Sequence, residues 1–110
     1  MTPISDIIQR RFSCRSYADK AVPDAVLQIF KTKVEEPHGG LFGNAPRFTL
    51  ITMDALPREA WKQLGTYGVI KNARLYLAGM IGPAPMATCD YGYCKEKLIL
   101  EATRLGLNTC

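Results

Sequence analysis

An α+β fold is what this 110-residue sequence predicts. Three observations carry the prediction. Apolar residues recur at helical spacing in two early segments, two runs rich in apolar, β-branched and aromatic residues follow in the middle, and a long helical pattern comes last. Helical stretches therefore flank two strand-like ones, and the run from Arg74 to Met80 is apolar enough to lie centrally in a sheet.

The elements follow in order. Thr2 and Pro3 read as a helix start, with Thr2 as N-cap and Pro3 in the first turn. Ile4, Ile7 and Ile8 then form one apolar face up to about Arg10, and residues 12–18 read as extended. Pro23 opens a second helix, where Val26, Leu27, Phe30 and Val34 repeat at helical spacing until Pro37 ends it. Residues 37–46 form a loop by composition, with Gly39, Gly40, Gly43 and two prolines. Arg47 to Met53 is strand-like, Pro57 to Leu64 is a short helix stopped by Gly65, and Arg74 to Met80 is the second strand. After a loop over 81–89, a last helix is expected from about Asp90, as its cap, to Leu105, ended by Gly106. Its apolar side uses Tyr91, Cys94, Leu98, Ala102 and Leu105. Leu107 to Cys110 looks like the start of another strand. No internal repeat, low-complexity tract or linker divides the chain, so residues 1–110 are expected to form a single domain or part of one.

Composition narrows the class. The chain is 47% hydrophobic and 22% charged, ordinary values for a globular protein. Its formal charge of +4 favours acidic or phosphorylated small ligands only mildly. The basic residues are scattered and do not interleave with aromatics, which argues against a nucleic-acid partner. No apolar run is long enough for a membrane span, and the first residues lack a signal-peptide pattern, so a cytoplasmic location with four reduced cysteines is expected.

The densest chemical signal lies just after the first helix. Three arginines and two serines fall within Arg10–Ser16, and Arg11, Ser13 and Arg15 alternate. Alternate residues of an extended segment point the same way. Two guanidinium forks and a hydroxyl would then converge on one anion, and arginine suits phosphate through bidentate, charge-assisted hydrogen bonds. The plainer interpretation is a solvated basic turn that closes a helix whose C-terminus favours positive charge.

Further motifs add to this one. Arg11-Phe12-Ser13-Cys14-Arg15, Tyr17 and Lys20-Ala21-Val22-Pro23 resemble the opening of the FMN-dependent nitroreductase family. Gly65 to Ala73, Asp90-Tyr91-Gly92-Tyr93 and Leu98 to Cys110 resemble that family's putative nitroreductase branch, in the family's order. The resemblance implies a mixed sheet flanked by helices, of which this chain would be the N-terminal half and apparently truncated. It implies hydride transfer from NAD(P)H through FMN to a nitroaromatic, quinone or related small aromatic acceptor, in a homodimer. Arg11, Phe12, Ser13, Arg15, Asn44 and Thr66 are the cofactor-binding residues it suggests; it singles out no catalytic residue and no metal. Asn44 departs from the family's Asn-x-Gln-Pro-Trp pattern, standing in Asn44-Ala45-Pro46-Arg47-Phe48, so a turn-stabilising role stands beside flavin contact. Flavin chemistry asks the protein mainly for binding, orientation and electrostatics.

Other groups carry competing interpretations. His38, the sole histidine, reads as an exposed loop residue or as a proton donor to a reduced acceptor. Cys89 and Cys94 have the long end of zinc-ligand spacing but read more simply as small hydrophobes. Cys14 is expected to point inward, away from the arginines. Lys97, Glu101 and Arg104 read as charge pairs on a solvated helix face. The alternative to an enzyme is a truncated relative without a closed flavin site, acting as a binding or interaction module. An unfinished sheet would in either case expose an edge that invites self-association.

Overall fold

A computed structural model describes residues 2–17, 21–53 and 73–110 of the chain. Five elements run in the order α1 (Ile4–Arg10), α2 (Asp24–Glu35), β1 (Arg47–Thr52), β2 (Leu75–Met80) and α3 (Ala87–Arg104). This is the α+β class expected. The short helix expected over Pro57 to Leu64 lies outside the described residues, as do Gly65, Thr66 and Lys71.

Proline sets the start of both early helices. Pro3 occupies the cap of α1, and its carbonyl accepts from Asp6 N–H at 3.1 Å and Ile7 N–H at 3.3 Å. The expected cap was Thr2; it lies one residue too early, because the proline's fixed φ places the cap at Pro3 itself. Pro23 begins α2 in the same way, with Leu27 N–H donating to its carbonyl at 3.0 Å. Pro37 ends that helix by holding Glu36 extended, at φ −63° and ψ 152°.

β1 and β2 pair antiparallel, with Arg47 opposite Met80 and Thr52 opposite Leu75. Met53 N–H adds a further bond to Arg74 O at 2.8 Å. One face of this pair packs on helices. Phe30 and Val34 of α2, Phe48 of β1, and Cys94, Leu98 and Ala102 of α3 form the buried cluster, with Leu50, Leu77, Tyr91, Leu105 and Leu107 packed around it. The apolar side expected for the last helix is therefore the side that faces the core. Phe48 is central: its ring lies 5.3 Å from Tyr91 and edge-on to His38 at 5.3 Å, both within aromatic contact range. Gly79, its cross-strand partner, makes room for it, since a Cβ there would stand 2.6 Å from the Phe48 ring.

Two expectations about apolar faces need correction. Ile7 is fully buried, but Ile4 and Ile8 are 57% and 55% exposed, so α1 presents one anchor and an open apolar row. The loop expected over 81–89 gives way to α3 at Ala87, three residues before Asp90. Met86 makes that early start possible by taking a left-handed conformation, φ 61°, at the cap.

α3 ends in a Schellman motif. Gly106 N–H donates to Thr103 O at 3.0 Å and Leu107 N–H to Ala102 O at 2.9 Å, with Gly106 at φ +84°. Leu107 then packs on the core beside Ala102. Two alanine substitutions on this helix should therefore act in opposite directions. Gly106→Ala meets the left-handed penalty and should cost about 1 kcal/mol. Gly92→Ala sits in the helix with no atom within 4 Å of its new Cβ and should add about 0.5–1 kcal/mol. Thermal melts of the two variants, one below and one above the parent, check the assignment.

Candidate functional site

The segment after α1 leaves the helix at Arg11, extended at φ −72° and ψ 134°. It is held in place by the other end of the chain. Ser13 and Thr109 form an isolated parallel bridge, and Cys14 N–H donates to Thr109 O at 2.8 Å. Arg11 is half-buried; its Nη1 donates to Thr109 Oγ1 at 3.3 Å and to its own neighbour Phe12 O at 3.2 Å. Ser13 and Arg15 are exposed and Cys14 between them is buried, but Phe12 and Ser16 are exposed as well, so the expected alternation holds only around Cys14. Among the described residues, the side chains of Ser13 and Arg15 have no hydrogen-bond or ion-pair partner. Phe12 is 56% exposed. The result is a basic, solvent-facing arm anchored by backbone hydrogen bonding and one guanidinium.

Asn44 belongs to a different constellation. Its side-chain Nδ2 donates to Asp90 Oδ2 at 2.8 Å and to Pro85 O at 3.0 Å. Its backbone N–H donates to the same Oδ2 at 2.9 Å, and Phe42 N–H donates to Asp90 Oδ1 at 3.1 Å. Asp90 is 1% exposed. The expectation that it caps the last helix is thus corrected. It sits inside the first turn of α3, where the helix dipole favours an anion, and its carboxylate gathers the loop over 40–44. Burial alone would raise its pKa; the hydrogen bonds from Asn44, Phe42 and Leu41 outweigh burial and hold it below the ordinary carboxylate value. Gly40 is required beside it, because a Cβ at that position would collide with the Asp90 carboxyl. The turn over 40–44 closes with Gly40 N–H donating to Asn44 O at 2.9 Å and with Gly43 at φ +85°.

An apolar cavity of about 240 Å³ lies between β2, α3 and the residues around Thr109. Phe30, Leu50, Leu77, Ile99 and Ala102 line it, with Tyr17 and Tyr76 adding phenols and Lys95 an ammonium. Arg11, Ser13 and Arg15 do not line it; Thr109 is the link, touching the cavity and holding Arg11. Burial, reinforced by Cys14, Cys110 and Tyr76, pushes the Tyr17 phenol up to about 12. Thr109 carries no signal of its own in the sequence, because only its pairing with Ser13 gives it a role.

The remaining candidates sort by environment. His38 is half-buried rather than free in a loop: its Nε2 lies 2.9 Å from Val34 O and its ring packs on Phe48. Cys89 is exposed while Cys94 is buried, and among the described residues no group of three or more metal-ligating side chains gathers. Burial pushes the Cys94 thiol up, with Lys97 opposing and Asp90 adding to the rise. On the outer face of α3, Arg104 Nε pairs with Glu101 at 3.6 Å, while Lys97 Nζ lies 5.4 Å from the Tyr93 ring. Thr66 lies outside the described residues.

Compared with known proteins, the chain matches the family model described as "Putative TM nitroreductase" over residues 3–110. No curated protein and no solved structure matches it.

Asp90 gives the site a pH signature. A carboxyl whose folded pKa is depressed contributes stability that is complete above its unfolded value, near 3.8, and is lost as the pH falls through the lower folded value. Melting temperature should therefore drop steeply below about pH 4. Asp90→Asn should lower the melting temperature at pH 7 and flatten that acid limb, which a pH series of thermal melts on both proteins measures directly.

Proposed function

The chain belongs to the nitroreductase family whose model spans residues 3–110, and from that premise we propose that it is an NAD(P)H-dependent oxidoreductase that holds FMN by its phosphate. Family membership makes it a nitroreductase-like oxidoreductase; the cofactor, the reductant and the residues are our own reading. The observation that carries this reading is the anchored arm. Arg11 is oriented by Thr109, while Ser13 and Arg15 stand open to solvent on either side of the buried Cys14.

The donor set fits the phosphate end of a flavin mononucleotide. Two guanidinium groups supply planar donor forks, and a hydroxyl supplies a second donor type. Bound FMN supplies the two-electron carrier between NAD(P)H and a small aromatic acceptor such as a nitroaromatic or quinone. The protein's own part is to bind and orient. Arg11 and Arg15 neutralise the phosphate, and Ser13 donates its hydroxyl proton to a phosphate oxygen. Phe12 offers an exposed apolar face beside them. Asn44 has its amide nitrogen committed to Asp90 and Pro85, so its contribution to the cofactor is through Oδ1 or through the shape of the loop. Thr66 completes the proposed set.

A homodimer in the cytoplasm is part of the same proposal. Its support is the exposed apolar row of α1, where Ile4 and Ile8 share a helix face and Phe12 follows, all more than half exposed. No helix among the described residues is long and apolar enough to cross a membrane.

The alternative is a binding module without a closed flavin site. The observation behind it is that the arm stands in solvent and the apolar cavity is lined by other residues.

Two measurements decide. Purified protein should carry flavin absorbance, and Arg11→Ala with Arg15→Ala should weaken FMN at least about tenfold, given roughly 1.5–3 kcal/mol for a hydrogen bond to a charged group. Colourless protein with no FMN-dependent thermal shift supports the binding module instead. Separately, light scattering should find a dimer that Ile8→Glu converts to a monomer; a monomeric parent contradicts the dimer.

A further inference from the structure

Cys14 and Cys110 lie at opposite ends of the sequence, yet the fold brings them level. Ser13 pairs in parallel with Thr109, and Cys14 N–H bonds to Thr109 O. One step along both segments, Cys14 stands opposite Cys110. In a parallel pair, level residues point to the same side. Adjacent strands are about 4.8 Å apart, inside the Cα separation of roughly 4.4–6.8 Å that a disulfide requires. From this register we propose that Cys14 and Cys110 form a dithiol that a low-molecular-weight disulfide, of the glutathione class, oxidises to an intramolecular disulfide.

The electrostatics around Tyr17 agree with this register. Tyr17 feels both thiols: after burial, Cys14 and then Cys110 are the largest influences raising its phenol. The other two cysteines have no such partner in the pairing: Cys89 is exposed and Cys94 is buried in the core of α3.

Exposure assigns the order of events. Cys110 is exposed and Cys14 is buried. The Cys110 thiolate attacks one sulfur of the oxidant, forming a mixed disulfide and expelling one glutathione thiolate, which takes up a proton. The Cys14 thiol then loses its proton, and its sulfur attacks the Cys110 sulfur and expels the second glutathione. The two protein thiols lose two electrons and two protons, and the oxidant leaves as two thiols. In the reduced protein Cys14 Sγ donates to Ser16 O at 3.3 Å, a contact the disulfide would give up.

Closure would staple the basic arm to the segment that positions it. It would also cross-link nearly the whole chain, the kind of long loop for which a disulfide most restricts the unfolded state. The cross-link does not depend on flavin binding, so its test stands whether or not FMN binds.

The experiment uses the whole chain, reduced and then equilibrated with oxidised glutathione. Intact mass should fall by about 2 Da for the two hydrogens lost. A non-reducing tryptic digest should join Phe12-Ser13-Cys14-Arg15 to Leu105–Cys110. The melting temperature should rise by at least about 5 °C and return on reduction. Cys110→Ser, at an exposed position, should keep the fold and abolish the linkage, and Cys14→Ser should do the same. Stable glutathione adducts on Cys110 without the joined peptide, a linkage through Cys89 or Cys94, or a disulfide between two molecules would each overturn the proposal.

Discussion

The parallel bridge between Ser13 and Thr109 is the constraint on which the functional part of this structure depends. Without it, the stretch leaving α1 would lose the hydrogen bonding that ties it to the Thr109 segment. With it, Cys14 is drawn inward and Ser13 and Arg15 are left outward. The guanidinium of Arg11 reaches Thr109 from the same side. A strand-like segment of this kind gains its order from its partner, because backbone N–H and C=O groups need hydrogen bonds and cannot find them within one extended chain. The last residues of the chain therefore position the first functional ones.

That partner segment is itself positioned by α3. The Schellman turn at Gly106 aims Leu107 at the core and sends Asn108 and Thr109 alongside the arm. The opposite end of α3 is fixed by Asp90, whose buried carboxylate ties the loop over 40–44 to the first turn. Between these ends, Cys94, Leu98 and Ala102 pack against Phe30, Val34 and Phe48. One helix thus organises the loop at one end and the arm at the other. Arg104 adds a tie to the N-terminus by donating to Thr2 O at 3.1 Å.

Periodic features were legible in the sequence. The recurrence of Cys94, Leu98 and Ala102 at every fourth residue reported the buried face of α3, and proline reported the bounds of α2. The α+β class follows from those patterns and the two strand-like runs. Features made by contacts distant in sequence were not legible. Asp90 looked like a cap because acidic residues favour helix starts, but its partners lie more than forty residues away in a glycine-rich loop. Ile4 and Ile8 looked like core because the pattern alone cannot tell a face covered by the same chain from one left open. Arg11, Ser13 and Arg15 were visible as a motif. Thr109, which orients one of them, was visible only once the two ends of the chain were seen side by side.

The account's central claim is that the arm recognises a phosphate. Calorimetric titration of the protein with FMN and with riboflavin, which share the ring and differ by the phosphate, tests it most directly. The account predicts that FMN binds at least about tenfold more tightly and that the gap narrows with added salt. Equal affinities for the two flavins would contradict it.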